Sequence, residues 1–288
     1  MSRKLFIIIT MMFLGLSWLT SPALADHEVQ LALANPTTPK VVFRLDDIQD
    51  WYCNEAQQEI IKVFADYSVD GKSSPQGISI GIIGNVFGED VAHVEEIQEI
   101  MANLGDSGEV VSHSMTHEDF SEKTIEEQVR ELEDFRELIG DTYFPEKEVR
   151  TFIAPFNAYS EDTTIPAMKE AGYDILSAQC TPNFCYNEGD PTSNPAYLPA
   201  AASTGGWDVP YKIQPASEIF AEIQEQIEIN NWSVVMMHPF EFTMEDPDDT
   251  EVNPDAIETL RELIGICLDN GYEVVTYSQL VDSVLSSY

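Results

Sequence analysis

Basic residues are scarce in this sequence: 14 Lys and Arg stand against 51 Asp and Glu, a formal net charge of -37. So acidic a surface repels phosphate backbones and other polyanions, which excludes nucleic acid as a partner and favours a neutral or cationic substrate. Most of this charge reads as a solvating surface suited to a salty medium, not as a store of cations. Cysteine is nearly lacking as well. The four present, Cys53, Cys180, Cys185 and Cys267, make no CxxC pattern, which argues against a cysteine-ligated zinc site. Cys180 and Cys185 bracket "TPNF" at a spacing that suits a small closed loop in an oxidising compartment. Internal repeats and low-complexity tracts are absent, and beyond the first 25 residues no apolar run approaches the length of a membrane span.

The one long apolar run opens the chain, "MSRKLFIIITMMFLGLSWLTSPALAD". Arg3 and Lys4 precede it, and Ala23 and Ala25 supply the small residues of an A-x-A cleavage site. Residues 1–25 therefore read as a signal peptide, 26–39 as a linker and 40–288 as the folded domain. The expected product is secreted or extracytoplasmic, with no stable membrane span once the leader is cleaved. The competing reading, an uncleaved anchor, is weakened by the short run and the processing site directly after it. Removing Arg3 and Lys4 takes the formal charge from -37 to about -39. The remaining ~260 residues form a core large enough to need no staple.

After the polar lead "ANPTTPK", β-type runs alternate with segments of helical period, the signature of parallel strands joined by crossover helices. "VVFRL", "GISIGII", "EVVS", "VRTFIA", "YDIL", "SVVMMH" and "YEVVT" read as strands. "NEAQQEIIKVFADY", "EDVAHVEEIQEIMANL", "TIEEQVRELEDFRELI", "TIPAMKEA", "ASEIFAEIQEQIEI" and "PDAIETLRELIGICL" read as helices. About seven parallel strands point to an α/β barrel in preference to an open sheet. Residues 178–214, dense in Pro, Gly, Asn and Ser, break the rhythm and read as a cleft wall or an inert insertion.

Parallel strands in a barrel carry their C-terminal ends to one face, so reactive groups just past those ends converge. Asp46 and Asp47 follow the first strand, His113 and His117 ("SHSMTH") the third, Pro155 ("APFN") the fourth, and His238 ("VVMMH") the sixth. Three of the five histidines lie at such ends; His27 is in the tail, and His93 sits on an amphipathic helix, where a surface role is the default. An HxxxH pair reaches one ion from a single helical turn, and Asp47 completes a two-histidine, one-carboxylate set with positions open for water and substrate. Two adjacent ionised carboxylates repel, so Asp46 and Asp47 are expected to serve different ends.

Together, "RLDDI", "SHSMTH", "FIAPFN", "GGWDV" and "VVMMH" resemble, in order and spacing, the motifs of the polysaccharide deacetylases that share the NodB homology domain, carbohydrate esterase family four. The resemblance spans roughly residues 40–285 and includes "THEDFSEKTIEEQVRELEDFRELIG" and "DNGYEVVTYSQL". It implies a distorted (β/α) barrel and metal-dependent removal of N- or O-acetyl groups from an acetylated glycan. By position it implies Asp47, His113 and His117 as metal ligands, Asp46 as general base and His238 as general acid. The implied cofactor is a divalent ion, with zinc favoured and cobalt, iron, nickel or manganese also suited to such a site. It would bring the pKa of water toward about 7 and polarise the acetyl carbonyl. Asp46 then accepts the water proton, a backbone N–H near Phe156 helps hold the oxyanion, and His238 protonates the leaving amine. Pro155, Phe156, Trp207 and Met236 would line the substrate site. Met236 also has a plain reading as core packing.

The chain departs from the family where many members have an arginine that pairs with the base, two residues before the last proline of the third motif. Here that position is Ile153. Strand alternation places Val42, Arg44 and Asp46 on one face and turns Arg150 away from the interior. Arg44 is therefore the expected substitute, standing where the family usually has a small hydroxyl residue; the competing reading gives it another interior carboxylate. Ile48 replaces a frequent glycine, and Trp207 and Asp208 match the fourth motif loosely, which marks a divergent member. The leading expectation is an exported metal-dependent hydrolase of carbon–nitrogen (non-peptide) bonds, a deacetylase of a polysaccharide or oligosaccharide. The alternatives are a hydrolase of a non-sugar amide and a glycan-binding homologue without turnover. Oligomeric state stays open.

Overall fold

The computed structural model describes residues 38–178, 189–205, 212–244 and 251–286, all within one unit, Ala34–Tyr288. Nine strands make one sheet: β1 (Lys40–Ile48), β2 (Ile78–Ile82), β3 (Gly108–Ser112), β4 (Thr151–Ile153), β5 (Ile175–Ser177), β6 (Ala196–Tyr197), β7 (Ala202–Ser203), β8 (Trp232–Met237) and β9 (Glu273–Val275). Their spatial order is β6-β5-β4-β3-β2-β1-β8-β7, with β9 also on β1, and every pairing among them is parallel. All seven strands read from the sequence are present. The additional pair, β6 and β7, belongs to one extended segment that bonds both edges of the curled sheet. Leu198 and Ala200 donate to Leu176 and Ala178 on one side, Ala201 and Thr204 to Val234 and Met236 on the other. The result is an α/β distorted barrel.

Among the described residues seven α-helices surround it: α1 (Asn54–Ala65), α2 (Val91–Leu104), α3 (Ile125–Phe135), α4 (Thr164–Ala171), α5 (Ala216–Asn230), α6 (Pro254–Asp269) and α7 (Tyr277–Leu285). Six follow the expected segments. Thr124 starts α3 with a capping box to Glu127, which satisfies two otherwise orphaned N–H groups. Past Phe135 the chain widens into π-helical turns over Arg136–Tyr143 instead of continuing as α-helix to Ile139. α7 is not among the expected helices. Among the described residues no helix is long and apolar enough to cross a membrane.

Strand alternation divides the core in two. Val41, Phe43, Leu45, Val110, Phe152, Leu176, Val235 and Met237 pack outward with the helices. Val42, Val111, Ile153, Ile175, Val234 and Met236 form the inner cluster, joined by Tyr277, Leu280, Val281 and Val284 of α7. That helix covers the barrel end opposite the strand C-termini: Ser278 bonds Glu109 at 2.7 Å and Gln279 reaches the Asp106 carbonyl at 3.0 Å. β9 pairs with Lys40–Val42, and β2 takes over the same side of β1 from Arg44. The wedge leaves no space beside it. A Cβ at Gly77 would stand 2.3 Å from the Val275 carbonyl carbon.

Candidate active site

In a regular strand adjacent side chains face opposite sides, so Asp46 and Asp47 could not both reach one cleft. β1 solves this with a register shift against β2 between Leu45 and Ile48, and Asp47 takes a left-handed backbone, φ 63°. Such a bulge re-aims a side chain. Asp46 keeps the inward phase of Val42 and Arg44, while Asp47 turns to the rim. Other non-glycine residues at this rim are also left-handed: Ser114, His117, Phe156 and Asn157. Backbone conformations this costly persist only where surrounding contacts impose them.

Asp47, His113 and His117 converge, one ligand atom from each lying within 4.8 Å of the others, as no other such group does among the described residues. His113 and His117 are not on a helical turn as the sequence pattern suggested. Past β3 the chain turns sharply at Ser114, whose Oγ accepts from the His117 N–H at 2.9 Å. His113 Nδ1 faces the Ile153 carbonyl at 2.9 Å. A carbonyl only accepts, so Nδ1 carries a proton, and Nε2 is the nitrogen that faces Asp47. His113 Nε2 lies 3.2 Å and His117 Nε2 3.1 Å from Asp47 Oδ1, and that buried oxygen has no hydrogen-bond partner among the described residues. Burial pushes the Asp47 pKa up, but the neighbouring His113 and His117 outweigh it and hold the carboxyl well below the usual range. Two nitrogens and an orphaned anionic oxygen facing one point are the donor set a divalent cation takes, so these residues fit a metal.

Asp46 stands apart from that group. Its Oδ2 meets Arg44 Nη2 at 2.9 Å, with both side chains buried, while Oδ1 has no hydrogen-bond partner among the described residues. Arg44 is anchored from behind, giving Nη1 to Ser177 Oγ at 3.0 Å and Nη2 to Asn157 Oδ1 at 3.2 Å. Tyr277 of α7 donates to the same Ser177 oxygen at 2.7 Å. Met236 is buried with its sulfur 3.1 Å from Arg44 Nη2. His238 Nε2 faces Asp46 Oδ2 at 4.0 Å, and its Nδ1 contacts Glu241 Oε1 at 3.2 Å. Burial lowers the His238 pKa, but Glu241, Asp46 and Asp47 together push it up to about 9. The rim thus holds a metal-type group, an ion-paired carboxylate and an imidazole that keeps its proton at neutral pH.

The remaining expected residues fall as follows. Pro155 is buried, while Phe156 is 67% exposed with its ring 4.8 Å from that of His117. Trp207, Asp208, His27, Cys180 and Cys185 lie outside the described residues. Ile153 is buried in the inner cluster, and Arg150 pairs with Asp174 and Asp282. His93 corrects its surface reading. It is buried on the inner side of α2, bonded to Gln57 and Gln58, and burial lowers its pKa. Cys53 and Cys267 are buried free thiols. Sequence reasoning missed Asn157, Ser177, Tyr277, Thr204 and Glu241, and of these only Glu241, three residues after His238, carried a local signal.

The sequence matches the family model described as polysaccharide deacetylase over residues 34–176. No curated protein matches the chain by sequence. Among solved structures, a chitin deacetylase from Colletotrichum lindemuthianum aligns at TM-score 0.54 and 13% identity, covering 85% of this chain and 89% of that one. A family 4 acetyl xylan esterase from Clostridium thermocellum, in complex with a cobalt ion, aligns at TM-score 0.52 and 13% identity, covering 84% and 91%. A CE4 family pseudoenzyme from Bacillus anthracis aligns at TM-score 0.53 and 16% identity, covering 86% and 67%. At these identities the neighbours speak to the fold. With the ordered motifs, the barrel and the family match in agreement, the chain belongs to the polysaccharide deacetylase family as a divergent member.

Proposed function

We propose that this protein is an exported, metal-dependent deacetylase that hydrolyses acetyl groups, N-acetyl foremost, from a polysaccharide or oligosaccharide. The observation that carries this reading is the division of labour between neighbours: Asp47 faces two imidazoles, while Asp46 faces Arg44 and His238. Asp47, His113 and His117 hold the divalent ion, zinc by preference. When bound, it supplies Lewis acidity that brings the pKa of water toward about 7 and polarises the acetyl carbonyl. Arg44 holds Asp46 Oδ2, which leaves Oδ1, without a partner among the described residues, to take the proton of the attacking water. His238 gives its Nε2 proton to the departing nitrogen. Phe156, exposed beside His117, forms a wall for the sugar, with Pro155 beneath it; Trp207 is assigned to the same cleft on the sequence motif alone. Met236, against Arg44, suits core packing more than a pocket for the acetyl methyl.

A second reading, a glycan-binding homologue without turnover, draws on Ile153 in the place of the family's arginine and on the pseudoenzyme neighbour. Acetate release from a panel of acetylated glycans, run beside small linear and cyclic amides, decides between them. The proposal expects chelator-sensitive acetate release from a glycan that disappears in Asp46→Asn. Binding of glycans without release supports the second reading, and turnover of the amides alone moves the substrate outside sugars.

A further inference from the structure

We propose that Glu241 is the positioning residue of His238, fixing which imidazole nitrogen carries the proton toward the cleft, and that residue 205 is glycine to make room for it. The inference rests on the reading of His238 as the proton donor. Glu241 is 4% exposed, and a carboxylate this far from water needs partners. Its partners come from two segments. Oε1 meets His238 Nδ1 at 3.2 Å. Oε2 accepts from the His238 backbone N–H at 3.3 Å and from the Thr204 hydroxyl. Thr204 is itself tied to β8, its N–H donating to the Met236 carbonyl at 2.9 Å.

Gly205 completes the seat. A Cβ there would stand 2.4 Å from Glu241 Oε1, so any other residue displaces the carboxylate. An ionised carboxylate only accepts hydrogen bonds, hence Nδ1 carries its proton toward Glu241. Nε2 is left for the reacting atoms, on the side of Asp46. The ring stacks on Phe240 at 5.1 Å and 18°, which limits its swing. The charged groups around it are Glu241 from the turn after β8, Asp46 and Asp47 of β1, Arg44 behind Asp46, and His113 and His117 beyond Asp47. Asp46 lies 4.0 Å from His238 Nε2, on the side of the reacting atoms, whereas Glu241 contacts Nδ1 on the opposite side of the ring.

The test uses the zinc-loaded protein. Ring-nitrogen NMR of His238, assigned against His238→Gln, reads tautomer and titration midpoint without substrate. Wild type is expected to show a protonated Nδ1 and a midpoint above the ordinary histidine value of 6.5. Glu241→Gln is expected to lower the midpoint by about one unit or more, with kcat falling about tenfold or more and KM within about twofold. Gly205→Ala, which displaces the carboxylate without deleting it, is expected to shift the midpoint the same way and serves if the glutamine variant fails to fold. An unmoved midpoint and tautomer in the variant that folds overturn the proposal, as does a rate loss without any midpoint shift. Wild type that releases no acetate refutes the catalytic reading instead, because the NMR arm needs no turnover.

Discussion

Two adjacent aspartates meet different partners only because the backbone between them is irregular. The bulge and the left-handed Asp47 split one dipeptide into an interior carboxylate paired to Arg44 and a rim carboxylate facing His113 and His117. Arg44→Met leaves Asp46 buried without its counter-charge. We expect turnover to fall by about 100-fold or more and stability by about 3–5 kcal/mol, with metal uptake measured by elemental analysis unchanged. A variant with full rate at neutral pH would dismiss Arg44 as the partner of the base. As the proposed proton donor, His238 is expected to set an alkaline limit. Its folded pKa is raised from 6.5 to about 9, so its contribution to stability is complete below 6.5 and is lost as pH rises through 9. Rate and denaturation midpoint are both expected to decline across that interval, and a rate still rising at pH 10 would remove His238 as the acid. The Arg44–Asp46 pairing was legible because strand alternation determines which residues share a face. The His238–Glu241 contact was missed, since its one local hint, a three-residue spacing, lies in a proline-led turn after a strand, where there is no period to support it.

At the level of elements, periodicity carried the long strands and helices and failed on short or atypical pieces. β6 and β7 have two residues each, too few to show alternation, and pairing with both sheet edges is what defines them. α7 follows a capping box, Thr276 with Gln279, a signal present in "TYSQL" but overshadowed by the preceding strand. His93 was misread because a polar residue on an amphipathic helix normally faces water, whereas here Gln57 and Gln58 supply polar partners inside. The wedge of β9 between β1 and β2 carries a prediction of its own. Gly77→Ala would press a methyl onto the Val275 backbone and is expected to cost about 1–3 kcal/mol, read by chemical denaturation. A neutral result would mean that β9 gives way easily and does not anchor α7.

For the whole molecule, the excess of 51 acidic over 14 basic residues makes self-repulsion a standing load on the fold. Salt screens it, so the melting temperature is expected to rise steadily between low ionic strength and 1 M KCl. A flat profile by calorimetry would show the charges to be paired or too widely spaced to matter. The same field suits an uncharged glycan and the cationic amine that N-deacetylation leaves behind. The account as a whole turns on one carboxylate gripping a cation while its neighbour handles a proton. Calorimetric zinc titration of wild type, Asp47→Asn and Asp46→Asn, with acetate release followed in each, measures that directly. The account predicts zinc uptake in wild type and Asp46→Asn, its loss in Asp47→Asn, and turnover in wild type alone. Wild type that takes up no divalent ion, or an Asp46→Asn protein that turns over normally, would contradict it.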